Sequence, residues 1–144
     1  MYQIREMEIS DYENVMALWG ETEHLAIKDA DSKPSIAAYL KRNPGLSFVV
    51  LDNEKTIAAV LVGTDGRRGY LQHLSVDSDY RGQGIGQQLV TRATDALAAL
   101  GIAKTHLFVL SENHAAQNFY QKMGWFARDE VRMFSFNSSS NRNV

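Results

Sequence analysis

The stretch "RGQGIGQQLV" (residues 81–90) places glycine at three alternate positions, 82, 84 and 86, behind Arg81 and directly before a run with helical spacing. Glycine costs about 1 kcal/mol relative to alanine inside a helix, so three of them at a helix start must serve something that side chains would obstruct. A helix start exposes unpaired N–H groups and a partial positive charge, and glycine there lets an anion reach the main chain without meeting a Cβ atom. Phosphate fits that description, with Arg81 placed to add a charge-assisted contact. Taken alone, the cluster reads equally well as a tight strand-to-helix corner. It is neither of two familiar phosphate loops: the spacing is G-x-G-x-G instead of G-x-G-x-x-G, and the P-loop lysine is absent.

Working outward, Ile85, Leu89, Ala93, Leu97 and Leu100 follow near-helical spacing, and Gly101 supplies the C-terminal cap. The strand ahead is "YLQHLSV" (residues 70–76) and the strand behind is "KTHLFVL" (residues 104–110), a strand-helix-strand unit for which parallel pairing and a right-handed crossover are the default. Upstream, "LSFVVLD" and "TIAAVLVGT" flank the turn "DNEK" as an antiparallel hairpin, and the turn "DGRRG", with Asp65-Gly66 as its hairpin signal, leads into the strand at 70–76. At the start, "YQIREMEI" alternates loosely as a strand. Ser10 with Glu13 reads as a capping box opening a helix that buries Val15, Leu18 and Trp19. "PSIAAYLKRN" is a second helix. Downstream, "ENHAAQNFYQKM" stacks Ala116, Phe119, Tyr120 and Met123 on one helix face, Gly124 caps it, and "VRMFSF" (residues 131–136) reads as a last strand. No repeat or second domain is evident. A single domain is expected over residues 1–137, with 138–144 a polar, disordered tail.

The 144 residues are 44% hydrophobic with two prolines, enough for one sizeable core. Fifteen basic and seventeen acidic residues are interspersed for a net charge of -2, so no basic stripe offers itself to a nucleic-acid backbone. The absence of cysteine excludes thiol nucleophiles, cysteine-bound zinc and disulfides, and suits a reducing compartment. The longest apolar run, residues 57–62, is far short of the roughly 20 residues that span a bilayer. A soluble, cytoplasmic protein is expected, with no membrane or nucleic-acid partner. His24, His106 and His114 share no ligand spacing, so no metal site is expected.

"LSVDSDYRGQGIGQQLV" followed some thirty residues later by "NHAAQNFYQKMGW" resembles the GNAT superfamily of acyl-CoA-dependent N-acyltransferases. Arg81, Gly84 and Gly86 match its pyrophosphate motif R/Q-x-x-G-x-G/A, and Asn113, Ala116 and Tyr120 match its N-x-x-A-x-x-x-Y helix, continued by Lys122 to Trp125. The match is specific over about residues 70–127, whereas residues 20–45 carry no signature of the family. The resemblance implies an α/β (α+β) fold: a mixed, mostly antiparallel sheet of six to seven strands, flanked by about four helices, with splayed central parallel strands. It also implies acetyl-CoA as co-substrate, its pyrophosphate on the main chain of Arg81, Gly82, Gln83, Gly84, Ile85 and Gly86. Its pantetheine arm would pair with the main chain of Leu74, Ser75 and Val76, and Asn113 and Tyr120 would add contacts. A small-molecule or peptide amine would attack the thioester directly with no covalent acyl-enzyme, a backbone N–H near Leu74 stabilising the oxyanion and Tyr120 protonating the leaving thiolate. The family often dimerises, which leaves a homodimer open here.

Each residue also has a simpler reading. Tyr120 sits on an apolar helix stripe, where a tyrosine is ordinarily core, and Asn113 is a natural N-cap. The general base departs from the family pattern. Relatives often carry glutamate or histidine two or four places before the residue matching Leu74, where this chain has Gln72 and Tyr70. His73 is a candidate because histidine as a residue type changes charge near neutral pH, but strand alternation puts it on the face opposite Gln72 unless a bulge turns it. Glu112, or water ordered by Tyr70 and Gln72, are the other candidates. Glu21, Glu23, Asp29 and Asp31 lie where relatives build the acceptor wall, so they either steer a cationic amine or form a solvated acidic loop. Two other classes stay open: a non-catalytic acyl-CoA sensor, and a nucleotide-binding module unrelated to acyl transfer.

Overall fold

The β-rich runs assemble into a five-stranded sheet of order β1-β2-β3-β4-β5, made of β1 (Tyr2–Glu6), β2 (Phe48–Asp52), β3 (Lys55–Thr64), β4 (Gly69–Val76) and β5 (Thr105–His106). The computed structural model describes residues 2–144 and divides into two compact units: residues 1–108, which hold the sheet, and residues 109–144. The first three junctions are antiparallel and β4 with β5 is parallel, so the sheet is mixed and mostly antiparallel. Among the described residues there are four α-helices: α1 (Tyr12–Gly20), α2 (Lys33–Arg42) and α3 (Ile85–Ala99) in the unit that holds the sheet, and α4 (His114–Lys122) in the other. Five strands stand among the described residues where six to seven were expected.

α1 begins later than the Ser10–Glu13 capping box suggests. The chain first makes a 3-10 turn at Ile9–Asp11, and it is Asp11 that folds back, accepting the Glu8 N–H at 2.8 Å while pairing with Arg5 at 2.7 Å. From there α1 and α2 cover one face of the sheet. Val15, Leu18 and Trp19 of α1 and Ile36 of α2 pack with Met7, Val49, Leu51, Ala59 and Leu61 in one buried cluster. α2 is opened by Ser32, whose side chain accepts the Ser35 N–H. The opposite face of β2 and β3, Phe48, Val50, Ala58, Val60 and Val62 by alternation, belongs to α3, which buries Ile85, Leu89, Val90, Ala93 and Leu97. Arg92 of α3 lies over the Phe48 ring at 5.2 Å from its centroid. Gly101, at φ +84, ends α3 in the left-handed conformation expected of its cap.

The strand expected over residues 104–110 forms only at Thr105–His106, opposite Gly69 and Tyr70. Close approach explains where it forms. A Cβ on Gly69 would fall 2.6 Å from Leu97 Cδ1 and 2.7 Å from Thr105 Oγ1, so only glycine lets β5 and α3 close on β4 at this point. Past His106 the pairing stops, and Phe108 is 67% exposed. From Leu71 to the end of β4, no strand among the described residues pairs on the β5 side.

In residues 109–144, α4 starts from Asn113, whose side chain accepts the Ala116 N–H at 3.2 Å, and ends before Gly124 at φ +95. The last strand expected over residues 131–136 does not form. Its alternating residues find no ladder neighbour among the described residues, and Val131, Met133, Phe134 and Phe136 are exposed.

Candidate active site

The end of β4 leads through a 3-10 turn (Ser78–Tyr80) into the glycines that open α3. Gly82 and Gly84 have φ +79 and +80, and a Cβ added at either would meet nothing within 4 Å. Both therefore hold a backbone conformation that other residues adopt at a cost, beside open space. Gly84 is the residue before the helix. It carries no side chain to cap the first turn, and its carbonyl already takes the Gln88 N–H. The leading N–H groups of α3 are thus left without an intrahelical partner, the arrangement that receives anions. The turn is pinned from two sides. Tyr2 donates to Gln83 Oε1 at 2.7 Å, and Tyr80 donates to Asp52 at 2.8 Å, a carboxylate that pushes the Tyr80 hydroxyl's pKa up to about 12. Arg81 folds back: its Nε–H donates to the Val76 carbonyl at 3.0 Å and its guanidinium pairs with Glu23 at 3.1 Å.

β4 is bulged. Its register against β3 shifts between Ala59, paired with Ser75, and Leu61, paired with Gln72, so His73 and Leu74 together face Val60. His73 takes the strain, at φ +52. Ala59 and Leu61 belong to the α1 cluster, so their partners Ser75 and Gln72 share that face. The bulge brings His73 to the same side, its ring 4.8 Å from that of Trp19. Plain alternation would have sent it to the opposite face. His73 Nε2 lies 3.0 Å from Asp31 Oδ1, with side-chain exposures of 20% and 9%. Ser75 Oγ and Trp19 Nε1 are buried with no hydrogen-bond partner among the described residues.

The acidic segment after α1 is not uniformly solvated. Glu23 pairs with Arg81, Asp31 is buried against His73, and Asp29 opens the 3-10 turn that carries Asp31. Glu21 lines a cleft of about 290 Å³ between α1 and the β2–β3 turn, together with Glu54, Lys55 and Asp77. In residues 109–144, Tyr120 is buried with the rings of Phe119 and Trp125 edge-on at 5.0 and 5.5 Å. Burial raises the pKa of its hydroxyl, which therefore keeps its proton at neutral pH. Among the described residues no group of three His, Asp or Glu side chains is arranged for a metal ion, and no helix is long and apolar enough to cross a membrane.

The model of the acetyltransferase (GNAT) family matches residues 1–125. The chain belongs to that family. An acetyltransferase of Pectobacterium atrosepticum is 34% identical to this GNAT protein over 131 residues, 91% of this chain and 92% of the relative. Among solved structures, the PaiA N-acetyltransferase of Thermoplasma acidophilum in complex with coenzyme A aligns with a TM-score of 0.78 at 20% identity, over 90% of this chain and 92% of that one. The glucosamine-6-phosphate N-acetyltransferase of Arabidopsis thaliana aligns with a TM-score of 0.69 at 22% identity, over 94% and 98%. The fold is therefore that of GNAT proteins, and the chain is an acetyltransferase of this type.

Within residues 1–108 of this GNAT protein, the expected residues fall on two adjoining pieces: Leu74, Ser75 and Val76 on the bulged end of β4, and Arg81 to Ile85 and Gly86 at the start of α3. The Arg81–Val76 hydrogen bond ties the two together. Asn113 and Tyr120 stand on the second unit, at the cap and on the buried face of α4. The partnership of Asp31 with His73 was not visible in the sequence. Forty-two residues separate the two, and Asp31 looked like one more charge of an acidic loop.

Proposed function

We propose that the chain transfers the acetyl group of acetyl-CoA to a primary amine by direct attack, with His73 taking the amine's proton and Tyr120 protonating the sulfur. The observation that carries this reading is the uncapped, glycine-led start of α3, one turn beyond a strand whose outer edge is unpaired from Leu71 onward among the described residues. The open space beside Gly82 and Gly84, where a Cβ would otherwise stand, fits a diphosphate drawn against the main chain. Acetyl-CoA, the acyl donor, supplies a thioester carbonyl. Around it, the free edge of β4 at Leu74, Ser75 and Val76 would hydrogen-bond the pantetheine amides. The Leu74 N–H would stabilise negative charge on the thioester oxygen.

Arg81, engaged by Val76 and Glu23, would turn from Glu23 toward the phosphates while keeping its bond to the strand. That the Thermoplasma acidophilum neighbour is a complex with coenzyme A adds support for the same ligand here. For the acceptor, the name of the Arabidopsis neighbour points to an amino sugar, and Glu21 with Glu54, on a cleft where Lys55 pairs with Asp77, would favour a cationic amine.

The test is acetyl-CoA turnover against a panel of polyamines, amino sugars, amino acids and peptide N-termini, with coenzyme A binding measured by calorimetry. Binding with transfer to at least one amine is expected. Binding without any transfer would favour a sensor, and stabilisation by ATP or NAD but not by acetyl-CoA would favour an unrelated nucleotide module.

A further inference from the structure

We infer that Asp31 is the positioning residue of His73, holding its ring in the tautomer that leaves Nδ1 as the proton acceptor. The inference rests on the reading of His73 as the base and adds to it a partner remote in sequence.

The geometry is built from three elements of residues 1–108. The β4 bulge presents His73 at φ +52, a conformation uncommon outside glycine and sustained here by the surrounding contacts. α1 supplies Trp19, whose ring lies 4.8 Å from the imidazole at 59°. The 3-10 turn Asp29–Asp31 supplies the carboxylate, Oδ1 at 3.0 Å from Nε2.

Asp31 is itself fixed at two more points. Its Oδ2 accepts the Lys28 N–H at 3.1 Å, and its carbonyl accepts the Tyr12 hydroxyl at 2.7 Å. A buried carboxylate is tolerated only when paired, and every one of these contacts serves to hold it. A carboxylate can only accept, so the nitrogen facing it is the one that carries hydrogen. In the neutral ring the lone pair is then on Nδ1, which no hydrogen bond engages among the described residues. A carboxylate that fixes a histidine's tautomer and orientation, and that stabilises the imidazolium once formed, is a general device of proton-transfer sites.

The acceptor first gives its ammonium proton to solvent, and in the transfer step the neutral amine nitrogen forms a bond to the acetyl carbon as the C–S bond breaks. One proton leaves that nitrogen for His73 Nδ1, and the departing sulfur takes the proton of the Tyr120 hydroxyl. Solvent then removes the proton from His73 and returns one to Tyr120, so that N-acetyl amine and free coenzyme A are the only products. Asp31 moves no proton.

The test combines ring-nitrogen NMR with kinetics. In the wild-type protein the His73 ring is expected as the Nε2–H tautomer; an Nδ1–H ring overturns the inference whatever the variants do. Asp31→Asn is expected to leave a mixture of tautomers and to lower kcat by about 10- to 100-fold, with KM for acetyl-CoA within about twofold. His73→Gln is expected to lower kcat by about 100-fold, and Asp31→Asn added to it should cost nothing more. Losses that multiply in the double variant, or an Asp31→Asn protein that melts earlier but turns over at the wild-type rate, would assign Asp31 a structural role only. If His73→Gln keeps the wild-type kcat, the base reading itself fails, and Asp31 with it.

Discussion

His73 Nε2 and Asp31 Oδ1 meet at 3.0 Å because a one-residue bulge in β4 turns the histidine onto the face that α1 covers. The bulge makes position 73 demanding, since its φ of +52 is readily adopted by asparagine and costly for a β-branched residue. His73→Asn and His73→Val both remove the ring against Trp19, but only valine must also enter the left-handed region. Urea denaturation is expected to find the valine variant about 1–2 kcal/mol less stable than the asparagine variant. Equal stability would mean that the bulge relaxes at little cost.

Gly84 and Gly101 offer a matched comparison, at φ +80 and +84 with open space beside each. Alanine at either position should cost about 1 kcal/mol through the backbone alone. Only Gly84 opens α3, so Gly84→Ala is expected to weaken coenzyme A binding at least about tenfold by placing a Cβ where the diphosphate approaches. Gly101→Ala should leave it unchanged. Calorimetric titration of both variants makes the measurement.

Tyr120 is held in a nest of aromatic rings, and among the described residues no hydrogen bond engages its hydroxyl. Tyr120→Phe should therefore preserve stability while slowing the transfer step by about 10²- to 10⁴-fold, far more than it weakens acetyl-CoA binding. Single-turnover kinetics separate the step from binding, and a wild-type rate would remove the tyrosine from the chemistry.

The Arg5–Asp11 pair sets a pH dependence of stability. Burial alone would raise the Asp11 carboxyl. The Arg5 hydrogen bond, the Glu8 N–H and the Arg5 charge outweigh it, so the carboxyl lies below the usual carboxylate range. A folded-state pKa below the unfolded value means stability that is complete above about pH 4 and lost as pH falls through the folded value. Asp11→Asn is expected to cost about 1–2 kcal/mol at pH 7, given that Arg5 is partly solvated, and progressively less toward pH 3. Denaturation curves at stepped pH would show the two proteins converging.

What the sequence reveals and what it hides divide along the range of the interactions. The helices were legible because periodicity and capping are local: Asn113 caps as its position suggests, and Gly101 and Gly124 end their helices at positive φ. The β4–α3 junction was legible as a strand-to-helix turn because glycines suit the positive φ that Gly82 and Gly84 take there. The strands beyond Thr105–His106 and over residues 131–136 were misread because alternation records only a side-chain pattern, while a strand needs a hydrogen-bonding neighbour. The β4 bulge left no trace either, since it is taken up by a histidine with no glycine to mark it. Asp31 was read with the charges around it, although its burial is decided by contacts with Tyr12 and His73, 19 and 42 residues away.

The central claim is that the main chain of residues 81–86 holds the diphosphate of an acyl-CoA. Amide spectra recorded while coenzyme A is titrated into the labelled protein test it most directly. The expected result is saturable movement of the Gly82, Gly84, Ile85 and Gly86 amides together with those of Leu74, Ser75 and Val76. Coenzyme A that binds while these amides stay still, or that does not bind at all, would contradict it.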